Sequence, residues 1–423
     1  MEYKKINLKK GINLHTIYTD KFKTNLIAVF LTTNINRNDV TQMALISSVL
    51  RRGSKNMNTQ EAISKNLEDM YGASFDCGVD KTGKNQVLKF YIESVNDNFL
   101  PNDKENLLKK SLEKIFEIVF NPLTEEDGFK EAYIEQEKNT VKNIIEGRID
   151  NKARYAQDRC IESMYGEEGY GLYKYGYIED LEKINSKSLY KRYKKLIDEC
   201  KIDIFVSGMV NEETVKVIQE NENIKKLNDR EPQFTETVIE NRIMPDEEKK
   251  VTDSMEVSQG KLVIGLDIDI KSEDEKFDVL IYNTILGGSA NSKMFQNVRE
   301  KEHLAYVASS SYFRHMNNIF INCGIEIENY QKTVEVVKKQ IEDLKNGNFS
   351  EVDIANAKKV IISGIKSIDD EQDSQITYKF GQELSTLQIS LENYLNRIEK
   401  INKDSILEIA KKVYINTIYF LKD

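Results

Sequence analysis

The first hundred residues alternate between apolar runs of strand length and a stretch with helical periodicity. Residues 25–33 (NLIAVFLTT) form an apolar run of strand length. From residue 39 to residue 50, apolar side chains recur at helical spacing, and Gly53 is expected to end that helix. Residues 73–80 and 86–93 predict a hairpin around the turn KTGK. This part of the chain is therefore predicted to be a mixed α/β layer.

The rest of the first half is predicted to be mainly helical. Residues 103 to about 165 are heavily charged and carry an apolar stripe at helical spacing. The tyrosine- and glycine-rich segment 164–184 predicts an ordered loop; its tyrosines are expected to pack the loop, with stacking on a ligand as the alternative. A helix over 186–197 and a short buried strand over 202–208 complete this half.

The same order of elements recurs after residue 250, and both halves end with a helix followed by a short apolar strand (KIDIFVSG and NTIYFLKD). Residues 221–250 lose the apolar periodicity and carry two of the four prolines, which predicts a linker. We therefore predict an α+β fold made of two homologous α/β units of roughly 200 residues. The predicted ranges are 1–220 for the first unit, 221–250 for the linker and 251–423 for the second unit.

The segment from Gly287 to Tyr312, GGSANSKMFQNVREKEHLAYVASSSY, combines a glycine pair, a short helix and a strand. Ser289 or Asn291 is expected to cap the helix, which should end near Lys301. The glycines are expected to let helices pack closely. After the helix the apolar period changes to two, which predicts a strand.

Arg299, near the end of this helix, and Tyr306, on the strand, are the candidate functional residues. A forked guanidinium cation and a neutral phenol donor on adjoining rigid elements can converge on a peptide carbonyl. The structural alternative is that Arg299 complements the helix dipole while Tyr306 packs in its strand. These two residues alone leave both interpretations open.

Composition and charge exclude several classes of protein as expectations for this chain. The 423 residues are 39% hydrophobic, which is enough for real cores, and no run approaches the ~20 apolar residues of a membrane span. The N-terminal sequence has no apolar core of a signal peptide, so we expect a cytoplasmic protein without a membrane role. The formal charge of -9 gives no overall basic field for nucleic acid. The four cysteines are far apart in sequence, which favours free thiols.

The run GGSANSKMFQNVREKEHLAY resembles the C-terminal half of the pitrilysin-like (insulinase-like) zinc peptidases. Val298 replaces the usual Leu and His303 the usual Gly, but the spacing from Arg to Tyr is kept. The resemblance implies two related halves per subunit, each an antiparallel-rich sheet with packed helices. It also implies that Arg299 and Tyr306 hold the substrate across the chamber from the zinc site.

The zinc-binding motif of that family, His-x-x-Glu-His, is missing. Two His one turn apart on a helix can bind zinc, with the Glu as the base for the metal-bound water. The chain has three histidines, and none form that pair. Aligning the motif on Gly53 puts Ala44, Ser47 and Ser48 at its three positions. The family's distal Glu falls at Ile144, while a Glu upstream of it is matched by Glu137.

The resemblance and the missing ligands together predict a catalytically silent subunit of a heterodimeric metallopeptidase. We expect no cofactor on this chain, zinc in an active His-x-x-Glu-His-bearing partner, and an unfolded peptide substrate extended along a sheet edge. Small bacterial-type members with this split of motifs resemble the inactive subunit linked to the 5-aminopentanol modification of elongation factor P.

Several alternatives remain open. The chain could be a structural or assembly protein, like the related core subunits of the respiratory bc1 complex. It could also be a stand-alone peptide-binding protein, and homodimerisation of the isolated chain is a further possibility. An independent metalloenzyme fits the sequence least well.

Overall fold

The computed structural model describes residues 2–100, 105–167, 169–237 and 244–423. Its strands are β1 (Glu2–Lys9), β2 (Ile12–Tyr18), β3 (Thr24–Asn34), β4 (Ser74–Thr82), β5 (Asn85–Val95), β6 (Thr124–Glu125), β7 (Gly128–Phe129), β8 (Lys201–Gly208), β9 (Lys249–Ser254), β10 (Gly260–Ile268), β11 (Ala305–Phe313), β12 (Asn318–Ile325) and β13 (Val413–Lys422).

The α-helices of the first 235 residues are α1 (Val40–Leu50), α2 (Gln60–Glu68), α3 (Leu107–Phe120), α4 (Glu131–Glu146), α5 (Lys152–Tyr165), α6 (Ile178–Leu181), α7 (Ser186–Glu199), α8 (Glu212–Glu220) and α9 (Glu222–Lys226). The later helices are α10 (Glu275–Leu286), α11 (Tyr330–Lys345), α12 (Glu351–Ser367), α13 (Gln372–Glu383), α14 (Leu391–Lys400) and α15 (Lys403–Lys411), and a π-helical segment covers Met294–Lys301. Within the described ranges, no helix is both long and apolar enough to cross a membrane.

The chain divides into two compact units, and neither is continuous in sequence. Unit 1 contains residues 1–146, 168–235 and 368–381, and unit 2 contains residues 147–167, 236–367 and 382–423. Each unit thus includes one segment that lies in the other half of the predicted division. The linker over 221–250 stays a prediction; its residues 238–243, like the predicted helix start at 103, lie outside the described residues.

Unit 1 is built on a six-stranded sheet with the order β1-β2-β8-β3-β5-β4. β2 and β8 are parallel, and every other neighbouring pair is antiparallel. β3 and β8 are buried along most of their length, and β3 is apolar without alternation, as the run at residues 25–33 indicated. Helices α1, α3 and α7 pack on one face and share one hydrophobic core with it. The β1–β2 hairpin was missed because six of its first ten residues are polar or charged.

Unit 2 repeats this topology in a five-stranded sheet with the order β11-β12-β10-β13-β9. Here β9 and β13 are the parallel pair, and β10 pairs antiparallel with both β13 and β12. Strand for strand, β9, β13, β10, β12 and β11 correspond to β2, β8, β3, β5 and β4. The predicted fold class, two homologous antiparallel-rich α/β units, is confirmed.

Candidate functional site

The short helix that carries Arg299 is π-helical over Met294–Lys301. Met294 and Val298 are its buried residues, and Phe295 is half-buried. The amide of Glu302 donates to the carbonyl of Asn297 at 3.1 Å, a bond five residues apart that defines the wider π turn. The predicted caps are wrong in detail, because Ser292 and not Ser289 or Asn291 accepts from the first turn, at 3.3 Å from the amide of Phe295.

His303 makes the turn from this helix into the strand. Its φ of 52° lies in the left-handed region, which explains why the related sequences described above use Gly at this point. His is among the non-glycine residues that tolerate this conformation, so the turn is kept. The amide of Leu304 then closes the helix by donating to the carbonyl of Val298 at 3.0 Å.

Tyr306 lies on a bulge in β11, the edge strand of the unit 2 sheet. Ala305 pairs with Ile325 and Val307 with Gly324, so Tyr306 is the extra residue of the pair. The bulge exposes two consecutive side chains, Tyr306 at 75% and Val307 at 48%. The strict alternation predicted from Leu304 onward is therefore wrong at this point, since one inserted residue reverses the facing of those before it.

The guanidinium of Arg299 lies against two aromatic rings. Its carbon is 4.7 Å from the centroid of Phe295, one helical turn earlier, and 5.4 Å from the centroid of Tyr306. Nε forms an ion pair with Glu300 at 3.3 Å, and the side chain is 38% exposed. Within the described part of the chain, no other ion pair or hydrogen bond engages this guanidinium, and none engages the Tyr306 hydroxyl.

Gly287 sets the distance between this region and the preceding helix α10. The amide of Ser310 on β11 donates to the carbonyl of Gly287 at 3.0 Å. A Cβ at Gly287 would lie 2.5 Å from that same amide nitrogen, so only glycine permits the approach. The close contact is between a helix end and a strand, whereas the glycine pair was predicted to bring two helices together.

In unit 1, the three positions of the missing zinc motif lie on α1. Ala44 and Ser47 are buried, and Ser48 is half-buried. The hydroxyl of Ser47 donates to the carbonyl of Ala44 at 2.9 Å, which turns it back onto its own helix. Alanine has no ligand atom, and a neutral hydroxyl engaged in this way is a poor replacement for carboxylate.

The distal positions lie on α4, which packs against α1. Ile144 is half-buried and has no metal-binding atom. Glu137 is buried, but Nε of Arg52 donates to its carboxylate, so its charge is neutralised by a cation. These residues do not fit a zinc ion.

Among the residues that the structure describes, no group of His, Cys, Asp or Glu side chains on α1 or α4 could hold a metal ion. Cys77 of β4 is the nearest thiol, and its sulfur lies 3.5 Å from the carbonyl oxygen of Ser47. Burial raises the pKa of this thiol to about 12, so it stays protonated at neutral pH, whereas zinc binds the thiolate.

The three histidines do not form a zinc-binding pair, and His303 makes the turn described above. His15 is fully buried in unit 1, where Nε2 lies 2.9 Å from Asp203 and the ring stacks on Phe205. His315 belongs to unit 2; its Nδ1 lies 2.7 Å from the Thr237 hydroxyl. Burial, with help from nearby cations, lowers the pKa of His315 to about 4, so its imidazole is neutral at physiological pH.

Comparison with known proteins identifies the same kind of molecule. Residues 183–361 match the family described as Peptidase M16 inactive domain. The chain is 33% identical over 418 residues to the probable inactive metalloprotease YmfF of Bacillus subtilis (strain 168), covering 97% of this chain and 96% of that one.

Two solved structures share the fold over the whole chain. A conserved protein from Enterococcus faecalis V583 has a TM-score of 0.90 at 28% identity, covering 100% of this chain and 99% of its own. A peptidase M16 inactive domain from Pseudomonas fluorescens has a TM-score of 0.80 at 17% identity, covering 100% and 98%. The second likeness shows the fold alone.

The duplicated topology and the zinc-incompatible positions on α1 and α4 define the class: an inactive homologue of a two-unit α/β metallopeptidase. The chain belongs to the pitrilysin-like (peptidase M16) family.

Proposed function

We propose that this chain is the catalytically silent subunit of a heterodimeric pitrilysin-like metallopeptidase. In this proposal a separate chain with the His-x-x-Glu-His motif supplies the zinc and the general base. This chain supplies Arg299 and Tyr306 to the binding of an unfolded peptide. The single observation that carries the proposal is the contact between these two side chains: the guanidinium of Arg299 lies 5.4 Å from the ring of Tyr306, which stands on an exposed edge-strand bulge.

Arg299 is proposed to orient the substrate backbone. Its aromatic contacts with Phe295 and Tyr306 hold the guanidinium plane, while its terminal nitrogens have no ion-pair partner among the described residues. A planar cation fixed in this way can donate two parallel hydrogen bonds to carbonyl or carboxylate oxygens. Holding the side chain in advance also lowers the entropy lost when substrate binds.

Tyr306 is proposed to donate a hydrogen bond to the substrate carbonyl oxygen as negative charge develops on it. A neutral phenol suits this role because it has no charge to desolvate in the ground state and still stabilises an oxyanion. Its 75% exposure in the isolated chain leaves the hydroxyl accessible to a ligand.

Strand β11 is proposed to support an extended peptide. Within the described residues its strand partner is β12, and the amide of Ser310 donates to Gly287, so a peptide would use the remaining main-chain donors and acceptors on its other side. A peptide added at a sheet edge gains main-chain hydrogen bonds that depend little on its sequence. A site for unfolded substrates needs that property.

The test is a peptidase assay on the chain co-purified with its His-x-x-Glu-His-bearing partner. Arg299→Ala and Tyr306→Phe, singly and combined, are compared with the wild type. Lys301→Ala, from the same π-helical segment, and Tyr414→Phe, another exposed tyrosine of unit 2, are matched controls. We expect a loss of about 100-fold or more in kcat/KM for the double variant, with an intact complex and unchanged controls.

Other outcomes would favour the alternatives. A partner that is equally active without this chain, or with the double variant, makes the chain a structural or assembly protein. Binding of unfolded peptide by the isolated chain, with no partner needed, favours a stand-alone peptide-binding protein. Stoichiometric zinc in the purified chain would refute the assignment of the metal to the partner.

A further inference from the structure

Gln340 of α11 is a polar residue within an apolar stripe. It is 4% exposed, and the buried residues on either side of it, Val337 and Ile341, are apolar. Its Nε2 donates to the carbonyl of Val336 at 3.4 Å, and its Oε1 accepts from Nδ2 of Asn297 at 2.6 Å. Because a carbonyl can only accept, the first bond fixes which atom of the Gln340 amide is the nitrogen. Gln340 therefore presents a buried acceptor to Asn297.

Asn297 is also the residue at which the π turn closes. Its carbonyl accepts from the amide of Glu302 at 3.1 Å, five residues further along the chain. Its side chain is half-buried and makes the bond to Gln340. One residue thus joins the wide turn to a buried group on the neighbouring helix.

The hydrogen bond between Asn297 and Gln340 specifies an arrangement more than it adds stability. Replacing both partners of a buried hydrogen bond by apolar groups of the same shape can be nearly neutral. A buried acceptor without a donor is costly, however, so a segment that turned Asn297 away would leave Oε1 of Gln340 unpaired. The pair therefore favours the arrangement in which Asn297 faces α11.

The wide turn determines the direction of Arg299. In an α-helix the carbonyl of Asn297 would accept from the amide of Lys301, one residue before Glu302. Removing one residue from the turn rotates the chain beyond it by about 100°. Because β11 holds Tyr306 in the sheet, that rotation would break the 5.4 Å contact between the guanidinium and the ring. Single π turns inside helices are frequent at functional sites.

We propose that Asn297 and Gln340 are positioning residues, whose hydrogen bond holds the π turn and so keeps Arg299 directed at the peptide. Neither residue touches the peptide in this proposal. The effect on substrate rests on the proposed function of Arg299. The structural step, from Gln340 to the direction of the guanidinium, does not depend on that function.

The test uses the chain co-purified with its His-x-x-Glu-His-bearing partner. Gln340→Met removes the acceptor with little change in volume, and Asn297→Ala removes the donor at a half-buried position. Gln331→Met makes the same substitution at an exposed position of α11 and is the matched control. Each change is also made in the Arg299→Ala background.

We expect kcat/KM to fall about tenfold or more in Gln340→Met and in Asn297→Ala, with Gln331→Met unchanged. In the Arg299→Ala background, the same two substitutions should lower kcat/KM by less than about twofold, because the residue through which they act is gone. Equal losses in both backgrounds would show a general structural effect and overturn the positioning role. If Gln340→Met fails to fold, Asn297→Ala still decides the question.

A second readout does not depend on peptidase activity. NMR of the full-length chain with isotope-labelled arginine gives the Nε–H signal of Arg299, which is assigned by its absence from Arg299→Lys. The rings of Phe295 and Tyr306 should displace this signal from that of exposed arginines. Gln340→Met and Asn297→Ala should remove the displacement.

The two readouts separate this inference from the proposed function. An Arg299 signal that stays in place in both variants overturns the inference, whatever the peptidase assay shows. A signal that moves, together with full activity of Arg299→Ala, supports the positioning of the guanidinium and refutes the proposed role of Arg299 in substrate binding.

Discussion

Gly287→Ala should destabilise unit 2 strongly, because there is no space for a methyl group at this residue. The added Cβ would lie 2.5 Å from the amide nitrogen of Ser310 and 2.6 Å from its hydroxyl oxygen, well inside van der Waals contact. Relief requires either α10 or β11 to move. Overpacking of this kind costs about 1–3 kcal/mol, and the loss of the Ser310 to Gly287 hydrogen bond adds about 1 kcal/mol.

The expected decrease in unfolding free energy is therefore roughly 2–4 kcal/mol. The matched control is Gly364→Ala, because Gly364 lies in the interior of α12 and a Cβ there meets nothing within 4 Å. That substitution should stabilise by about 0.5–1 kcal/mol through helix propensity alone.

Urea denaturation followed by circular dichroism measures both variants, and the m-value shows whether the same surface is exposed on unfolding. If Gly287→Ala changes the unfolding free energy by less than about 0.5 kcal/mol, the packing argument is refuted. If both glycine variants lose stability equally, the effect is a general one of replacing glycine and does not come from the contact with Ser310.

Three further predictions follow from single residues. His315 has a pKa of about 4 in the folded chain against about 6.5 unfolded, so the free energy of unfolding should fall by up to about 3 kcal/mol as pH drops from 6.5 to 4. His315→Gln should flatten this pH dependence in a series of denaturation curves, and an unchanged slope of unfolding free energy against pH would contradict the prediction. His303→Val should lose about 1–2 kcal/mol relative to His303→Gly, because a β-branched residue is strained at a φ of 52°, and equal melting temperatures would argue against that conformation. With its thiol pKa at about 12, Cys77 should react with iodoacetamide at pH 8 about 1,000-fold more slowly in the native chain than after unfolding, and rapid native labelling would disprove the burial argument.

The family, the fold class and the inactive character of the chain could all be predicted from the sequence. Periodicity located β3 and α1 to within about a residue, since a fully buried strand and an amphipathic helix each leave a local pattern. The recurrence of helix then apolar strand in KIDIFVSG and NTIYFLKD indicated the duplication, and these segments are the corresponding strands β8 and β13. The loss of zinc ligands at Ala44 and Ile144 depends only on which atoms those side chains contain.

Prediction from local sequence patterns failed where contacts between distant segments determine the structure. The β1–β2 hairpin carries charges that hide its strand character, and no local pattern indicates the bulge that exposes Tyr306 and Val307 together. A bulge depends on the register between two strands, and that register is a property of the pair. Arg299 follows Phe295 by four residues, a helical spacing, whereas its contact with Tyr306 is made across the left-handed turn at His303.

The sequence by itself determined that the zinc ligands are missing and which family the chain belongs to, because both conclusions depend only on residue identity and short-range spacing. Only the tertiary structure decided which segments pack together: residues 147–167 join unit 2 and residues 368–381 join unit 1. The same holds for a cavity of unit 1 that is lined by residues up to 192 positions apart, from Asn25 to Val217. Such assemblies are set by the burial of apolar faces between distant elements, and no local pattern encodes them.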